Sequence, residues 1–335
     1  MIPEFRMSPT KRIGIVLLQL SVTAAGLFYV FHSARIREQA IETLQHSHWT
    51  WLLIGWCCYG MVEILATLRW QILLRIQGIG LSCPRAWTIV VIGLFFNMFL
   101  PGLIGGDAVR LYLIFKQATR KKMPATLSVV MDRLLGLCSI LFLGAVAILL
   151  RFGWLTQFPE TRHLTYLAAA ILGTCVAAVG LLFGLVILVP QSRLANRLPF
   201  RKSIEQAVVA LKIYRNRPLQ IGLSFVITLA SHFAYYLAFY SAMRSLEAGE
   251  VHRLSHIVDF VSLMPLVNTI VGVPISFGGA GVREALFQTL LGQLMHVPAS
   301  LAALTASLGF LIQASWGIVG AAAYLLIFSS WRNHN

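Results

Sequence analysis

Two ten-residue segments of the chain carry the same residue types in the same order. They run from Pro101 to Arg110 (PGLIGGDAVR) and from Pro274 to Arg283 (PISFGGAGVR), and a proline, two adjacent glycines, a valine and an arginine coincide without a gap. Glycine leaves the backbone accessible, the N-terminal end of a helix attracts anions, and the planar guanidinium group of arginine suits phosphate. Each segment therefore predicts one half of an anion-binding site.

Other polar and charged residues lie in or beside apolar stretches, where a charge facing lipid would cost about 2.5–3.5 kcal/mol. We therefore expect these residues to face one another or a water-filled cavity. The candidate substrate-binding residues are Asn97, Pro101, Gly105, Gly106, Asp107, Arg110, Asp132, Arg133, Pro274, Gly278, Gly279, Arg283 and Glu284. The candidate supporting residues are Glu63, Arg69, Asp259 and Asn268.

Several candidates also have structural interpretations that the sequence leaves open. The Gly-Gly pairs suit a tight turn between two helices, and Asp107 suits the N-cap of its own helix. Asp132 and Arg133 are adjacent, so they cannot share a helix face and each needs a separate partner. Arg110 and a bound substrate are equally good partners for Asp132. Arg69 also has the stem length to snorkel towards the cytoplasmic interface.

The elements that must position these residues are apolar helices. Of 335 residues, 58% are hydrophobic and 12% are charged, and the mean hydropathy is +0.76, which excludes a soluble globular enzyme. A helix needs about 20 residues to cross a bilayer. Six stretches are long enough, and they cover residues 13–31, 49–74, 124–150, 164–190, 219–243 and 299–330. We interpret the first of them as a transmembrane helix that is not cleaved.

Two further apolar stretches, 87–100 and 256–273, run into the Pro-Gly segments and are followed by short apolar pieces. A piece of 11 residues at 1.5 Å per residue covers about 16 Å, half of the hydrocarbon thickness. This predicts two re-entrant helical hairpins with tips at 97–110 and 268–284. The two hairpins would enter from opposite sides, as in transporters with inverted repeats. Two short complete spans in place of each hairpin would leave the following residues on the same side of the membrane, and they remain an alternative.

The basic residues indicate the topology of the chain. There are 27 Lys and Arg against 12 Asp and Glu, a net charge of +15, which alone would suit a nucleic-acid partner. The predicted spans instead place 17 of the basic residues on the cytoplasmic side and six outside, which satisfies the positive-inside rule. We therefore predict no nucleic-acid partner and a single multi-pass transmembrane domain, 1–335, in the bacterial inner membrane with both termini cytoplasmic. Residues 203–215 have the pattern of an amphipathic helix on the cytoplasmic surface.

Motifs for catalysis, metal binding or nucleotide binding do not occur in the sequence. The five cysteines have no metal-ligand spacing with histidine, and there is neither a phosphate-binding loop nor a Gly-x-Ser-x-Gly nucleophile elbow. We therefore predict that the chain is not an enzyme and that it holds no metal and no cofactor.

Three strings in order resemble the transmembrane region of lysylphosphatidylglycerol synthetases: NMFLPGLIGGDAVR at 97–110, DRLLG at 132–136 and PISFGGAGVRE at 274–284. The resemblance covers about residues 13–330 and extends to stand-alone flippase-like proteins of the family, including hopanoid-associated members. In the synthetases this region is held to translocate a phospholipid made by a soluble aminoacyl-transfer domain. Because the chain ends five residues after the last predicted span, the resemblance implies lipid movement without that domain. The positions that the resemblance implicates are Asp107, Arg110, Asp132, Arg133, Arg283 and Glu284.

These observations predict a lipid transporter or flippase. Its partner would be a membrane lipid with an anionic or polar headgroup, which passes through a cavity lined by the two opposed Gly-rich tips. One alternative is an integral-membrane enzyme that acts on a lipid-linked phosphate or sugar. Another is an accessory subunit whose partner is a lipid-biosynthesis enzyme.

Overall fold

All regular secondary structure in the described part of the chain is helical. The computed structural model describes residues 45, 47–99, 105–118, 121–188, 212–246, 255–273 and 276–332. Nine α-helices have both ends within the described residues, and a short 3₁₀-helix, Phe277–Gly279, precedes the eighth of them. The α-helices are α1 (Trp49–Ile76), α2 (Cys83–Phe99), α3 (Gly105–Gln117), α4 (Lys122–Leu155), α5 (Pro159–Leu188), α6 (Pro218–Leu246), α7 (Ser255–Val271), α8 (Val282–Met295) and α9 (Ala299–Arg332).

Five of these helices are long and apolar enough to cross a membrane, namely α1, α4, α5, α6 and α9. They correspond to five of the six predicted spans, which are thereby confirmed as long apolar helices. The predicted span 13–31 lies outside the described residues, and so does most of the predicted amphipathic helix 203–215, whose described end, 212–215, is helical.

The long helices carry apolar residues on all sides because one side faces protein and the other faces lipid. On α1, for example, Trp70 and Leu73 are fully buried, whereas Leu53 is 63% exposed. The scarce polar residues of such helices therefore mark the sides that face other helices.

Glycines allow α1, α6 and α9 to pack closely, as small residues commonly do between membrane helices. A Cβ atom at Gly60 would lie 2.4 Å from the ring of Trp316, and one at Gly309 would lie 2.3 Å from the ring of Phe239. Trp316 of α9 stacks on Trp56 of α1 with 4.6 Å between ring centroids. This trio forms one wall around the polar interior described below.

The largest apolar core lies where α6, α7 and α8 meet. Tyr236 and Phe239 of α6, Phe260 of α7 and Phe287 of α8 are fully buried in it. The ring of Phe287 lies 6.0 Å, centroid to centroid, from the rings of both Phe239 and Phe260. This aromatic core fixes α8, and with it Arg283 at the start of that helix.

Each Gly-rich segment lies between two helices that pack against each other, α2 with α3 and α7 with α8. The second helix of each pair is short: α3 has 13 residues and α8 has 14. At 1.5 Å per residue, each covers only about 20 Å, less than the thickness of the hydrocarbon core. The predicted helix pairs are therefore present, with helix starts at Gly105 and Val282.

Candidate functional site

Asp132 of α4 lies at the centre of a buried ion network that joins three helices. Its Oδ1 accepts a hydrogen bond from Nε of Arg69 on α1 at 2.6 Å, and its Oδ2 accepts one from a guanidinium nitrogen of Arg110 on α3 at 3.2 Å. The Asp132 side chain is only 4% exposed. One buried carboxylate therefore serves two arginines, and the pairing of Asp132 with Arg110 is confirmed.

Arg69 does not snorkel to the cytoplasmic interface, so that interpretation is wrong. Besides its bond to Asp132, the guanidinium group donates to the hydroxyl of Thr228 on α6 at 3.3 Å. The Arg69 side chain is 12% exposed. A buried carboxylate attracts it more strongly than a distant interface, because removing a partner from a buried charge is costly.

Arg133 follows Asp132 in the sequence but uses a different partner, as its position on another helix face requires. Its Nε and one terminal nitrogen donate to the two carboxylate oxygens of Asp107 on α3 at 2.6 and 2.8 Å. Asp107 also lies 3.6 Å from Arg110. The ion-paired groups of the network, including Arg69, are three arginines and two aspartates, and the buried carboxylate of Glu63 on α1 lies near enough to Arg69 and Arg110 to act on them electrostatically.

An aromatic ring supports Arg110 from the side of α1. The guanidinium carbon lies 4.5 Å from the ring centroid of Trp70, in cation–π geometry. The Trp70 ring is oriented in turn by its hydrogen bond to the hydroxyl of Ser128 on α4, at 3.2 Å. Arg110 is thus fixed within the protein by both charge and packing.

Gly106 of the first tip allows α2 and α3 to pack closely. The amide of Gly106 donates to the side-chain oxygen of Asn97 on α2 at 2.9 Å. A Cβ atom at Gly106 would lie 2.1 Å from the carbonyl oxygen of Gly93. The expectation that the tip glycines present their amides to a ligand is therefore wrong for Gly106, because a protein side chain already accepts that hydrogen bond.

The glycines of the second tip are required by backbone conformation. Gly278, Gly279 and Gly281 all have positive φ angles, of 60°, 81° and 82°, which residues with a Cβ atom rarely adopt. A Cβ atom at Gly279 would also lie 2.3 Å from a methyl group of Val271. The two tips therefore match in sequence while their glycines have different physical roles.

Glu284 is occupied by protein contacts at both of its carboxylate oxygens. One oxygen accepts the amide hydrogen of Gly281 at 2.7 Å, which caps the start of α8. The other accepts the hydroxyl of Ser307 on α9 at 3.1 Å, and the residue is only 2% exposed. The structure thus places Glu284 as a helix cap, in contact with protein rather than with open space.

Arg283 is buried without an acidic partner among the described residues. One terminal nitrogen donates to the Gly278 carbonyl at 3.1 Å, while Nε and the other terminal nitrogen have no hydrogen-bond partner in the described part of the chain. The guanidinium carbon lies 5.4 Å from the ring centroids of both Phe239 and Phe310. Unsatisfied donors on a buried cation are costly, so this arginine is poised to bind an acceptor.

Arg283 faces a cavity of about 630 Å³. Helices α1 and α4 to α9 contribute to its walls, and its size is in the range of small-molecule sites. Its charged lining residues are Arg69, Asp132, Arg133 and Arg283. Its neutral polar lining residues are Thr228, Ser231, His232, Tyr235, Asn268, Thr269 and Gln313.

A second, smaller cavity of about 310 Å³ lies between α3 and α4. Asp107 and Arg133 border it on one side, and its other walls are mostly apolar, including Leu111 and Val130. Arg133 and Leu137 line both cavities. The ion pair of Asp107 and Arg133 therefore stands next to the boundary between a polar interior and an apolar groove.

The structure gathers only some of the predicted residues at the larger cavity, namely Arg69, Asp132, Arg133, Asn268 and Arg283. Asp107 and Arg110 belong to the ion network beside it. Gly105, Gly106 and Asn97 lie at the contact of α2 with α3, and Gly278, Gly279 and Glu284 shape the start of α8. Pro101 and Pro274 lie outside the described residues.

Two supporting candidates do not line the larger cavity. Asp259 of α7 pairs with Arg151 of α4, whose guanidinium carbon lies 4.2 Å from the ring centroid of Trp154. Glu63 of α1 is 5% exposed and is not among the residues that line the cavity.

Apart from Asn268, sequence reasoning missed the neutral polar residues of the cavity, above all His232 and Gln313. Within the described residues, His232 Nε2 and Gln313 Oε1 have no hydrogen-bond partner. The available signal was a single polar residue within an otherwise apolar span. That signal is weak, because hydroxyl and amide side chains within membrane helices often bond to their own backbone or to a neighbouring helix.

A bundle of long apolar helices around a charged cavity defines the class of multi-pass integral membrane proteins with a polar interior. Within that class, the chain belongs to the family described as the lysylphosphatidylglycerol synthase TM region, which matches residues 16–322. The resemblance seen in the sequence is thereby confirmed.

A similar protein is a UPF0104 membrane protein of the archaeon Methanocaldococcus jannaschii. It is 24% identical over 145 residues, which are 39% of this chain and 43% of the relative. The match thus spans less than half of the relative's length.

Proposed function

We propose that the protein translocates a lipid with an anionic, phosphate-bearing headgroup across the membrane. The observation that carries this proposal is Arg283, a buried cation with two free donors that faces the larger cavity. The charged side chains that line the cavity are three arginines and one aspartate, which favours the same kind of ligand. Membership of a family named after the membrane region of a phospholipid synthase agrees with a lipid ligand.

In this proposal the headgroup occupies the larger cavity while the acyl tails remain in the bilayer. The apolar groove between α3 and α4 gives the lipid a lateral path, and Arg133 meets the phosphate where the two cavities adjoin. The chain acts as a transporter, without covalent chemistry on the lipid.

The proposed topology has six full spans and two re-entrant hairpins, α2 with α3 and α7 with α8, which enter from opposite faces of the inner membrane. The short second helices are consistent with hairpins whose tips end inside the bilayer. Rocking of one repeat against the other would then open the cavity to each side in turn.

The test is a headgroup-accessibility assay in liposomes that contain the purified full chain. A fluorescently labelled anionic phospholipid is placed in both leaflets, and a membrane-impermeant reductant reports how fast the inner pool becomes accessible. We expect Arg283→Gln to lower the initial rate about tenfold or more, because hydrogen bonds to a charged group contribute about 1.5–3 kcal/mol.

The matched control is Arg162→Gln, which removes an exposed arginine whose hydrogen bond goes to the Thr156 carbonyl, away from the cavity. It should translocate lipid at the wild-type rate. Equal rates for wild type, Arg283→Gln and protein-free liposomes would overturn the proposal.

A further inference from the structure

Glu63 of α1 is a buried carboxyl group without a direct partner in the described part of the chain. The residue is only 5% exposed. Among the described residues, no group donates a hydrogen bond to its carboxyl group and no arginine forms an ion pair with it. The equally buried carboxylates of Asp132 and Glu284 differ, because both oxygens of each accept hydrogen bonds. An ionised carboxylate is costly to bury without such partners, so the site suits a group that binds a proton.

Three arginines surround this part of α1. Arg69 and Arg110 lie near enough to Glu63 to act on it electrostatically, although both are bonded to Asp132. Tyr59, one turn earlier on α1, lies within electrostatic reach of both Glu63 and Arg283. Burial favours the neutral acid, whereas nearby arginines favour the carboxylate. The protonation of Glu63 is therefore sensitive to the positions and partners of these arginines.

The helices that pack against α1 bring no other unpaired carboxyl group to this region among the described residues. These helices are α2, α4, α6 and α9. The charged residues of α2 and α9, Arg85 and Arg332, lie at or near helix ends. The titratable and charged groups that the other two helices contribute are Asp132 and Arg133 of α4 and His232 and Tyr235 of α6. Glu63 is thus the carboxyl group here whose charge can change without breaking an ion pair.

The charge of Glu63 decides whether the arginine network is balanced. The ion-paired groups are three arginines and two aspartates, so an ionised Glu63 makes the charges equal and a protonated Glu63 leaves one positive charge in excess. Its neighbours Val62 and Ala66 line the larger cavity, as does Arg69. A proton on Glu63 therefore favours an anion in the cavity. By linkage, an anion in the cavity favours the proton to the same extent.

We propose that Glu63 is a proton-binding site and that each anionic lipid crosses the membrane together with one proton bound there. The O–H bond of the carboxyl group forms with a proton from water on the side to which the cavity is open. It breaks, and returns the proton to water, when the cavity opens to the other side. This inference rests on the proposed function for the lipid, and it adds a proton gradient as the energy source.

The test measures binding of dihexanoyl phosphatidylglycerol to the detergent-purified full chain by isothermal titration calorimetry. Its phosphodiester stays ionised between about pH 5.5 and pH 8.5, where the titrations are made, so the ligand itself does not titrate. Pairs of buffers with different ionisation enthalpies count the protons taken up. We expect binding to be about tenfold tighter at the acid end, with uptake of up to one proton per lipid, because linkage allows up to a tenfold change per pH unit.

Variants assign this pH dependence to Glu63. Glu63→Gln is a neutral analogue of the protonated acid, so it should bind at both pH values with the wild-type affinity of the acid end and take up no proton. Glu63→Asp keeps a carboxyl group and should keep the pH dependence. The matched control is Glu160→Gln, an exposed position in the first turn of α5, which should behave as wild type. Imidazole groups also titrate in this range and His232 lines the cavity, so the same pH dependence in wild type and Glu63→Gln would refute the role of Glu63.

The outcomes separate this inference from the proposed function. Lipid binding that is weakened in Arg283→Gln but needs no proton would overturn the proton site and leave the lipid site standing. If no anionic lipid binds, the proposed function fails, and infrared difference spectra of the lipid-free protein between acid and alkaline pH test the proton site alone. A protonated-carboxyl band that is present in wild type, shifted in Glu63→Asp and missing in Glu63→Gln is expected. The absence of any band that depends on Glu63 would overturn the inference.

Discussion

At the scale of single residues, one carboxylate holds the charged interior together. Asp132 is the shared partner of Arg69 and Arg110, and all three side chains are largely buried. Removing one member of a buried ion pair leaves an uncompensated charge, which typically destabilises a protein by about 3–5 kcal/mol. Here the loss of Asp132 would leave Arg69 without its carboxylate and Arg110 with only the more distant Asp107, at 3.6 Å.

We expect Asp132→Ala to lower the free energy of unfolding by about 3 kcal/mol or more, because Arg69 and Arg110 lose their shared partner. The measurement is the unfolding transition of the detergent-purified protein. Arg133→Ala is the matched comparison. Its side chain is half exposed, so its loss should cost only about 1 kcal/mol. Equal effects of the two substitutions would contradict the central place of Asp132.

The charged part of the site could be predicted from the sequence because charges are rare in this chain. Arg69, Asp132, Arg133 and Arg283 all stood out within apolar stretches, and the adjacency of residues 132 and 133 required separate partners. The neutral part, apart from Asn268, could not be predicted. Whether a polar side chain such as Gln313 faces a cavity or a neighbouring helix depends on the rotation of its helix, which an evenly apolar sequence does not reveal.

At the scale of elements, the two Gly-rich tips show that one sequence pattern can meet two structural needs. Gly106 lets α3 approach α2 because a methyl group there would meet the backbone oxygen of Gly93. Gly279 combines a positive φ angle with a close approach to Val271. Neither position has room for a Cβ atom, and backbone atoms give way less readily than flexible side chains.

Substitution of these glycines should therefore weaken the helix pairs. We expect Gly106→Ala and Gly279→Ala each to lower the free energy of unfolding by about 1–3 kcal/mol, as overpacked positions do, measured by the same unfolding transition. The matched control is Gly173→Ala in α5, where a Cβ atom would meet nothing within 4 Å. That substitution should be neutral or slightly stabilising because alanine favours the helix. Destabilisation by Gly173→Ala as large as that by Gly106→Ala would refute the packing argument.

The helices themselves were the most predictable elements, since long apolar stretches in a membrane protein have few alternatives. Asp107 was expected to be the N-cap of its own helix, and α3 begins two residues earlier, at Gly105. The use of the tip amides was not predictable. Gly106 bonds to Asn97, nine residues earlier, whereas Gly281 bonds to Glu284, three residues later, and only the packing of each pair determines which acceptor comes within reach.

At the scale of the whole molecule, an ion pair joins α4 to α7, two helices that both line the larger cavity. Arg151 of α4 and Asp259 of α7 pair away from the cavity, while α4 contributes Asp132 to the cavity and α7 contributes Asn268. If the repeats rock against each other during transport, this pair is made in one state and strained or broken in another. Its loss should then change the rate of transport without changing the binding site.

We expect Asp259→Asn to alter the rate of lipid translocation in liposomes while the affinity for phosphatidylglycerol stays within twofold of wild type. The charge-swapped double variant, Arg151→Asp with Asp259→Arg, should return the rate towards the wild-type value because it restores the attraction. A loss of affinity in Asp259→Asn, or an unchanged rate, would argue against the pair as a link between moving halves.

The basic residues predict the direction in which the molecule sits in the membrane. Lys122 begins α4 and belongs to a group of basic residues that the positive-inside rule assigns to the cytoplasm, whereas Arg162 near the start of α5 is assigned to the outside. These two positions lie at opposite ends of the α4 region, and their sides are reversed if the α2–α3 pair crosses the membrane only once. Their accessibility therefore tests the hairpin topology as a whole.

The measurement uses single cysteines, Lys122→Cys and Arg162→Cys, in a background whose five native cysteines are replaced by alanine. A membrane-impermeant maleimide added to intact spheroplasts should label residue 162 and leave residue 122 unlabelled, and both should react after permeabilisation. Labelling of residue 122 alone in intact spheroplasts would mean that α2 and α3 together make one crossing. The cavity residues would then keep their contacts, but the inverted relation of the two tips, and with it the rocking mechanism, would have to be abandoned.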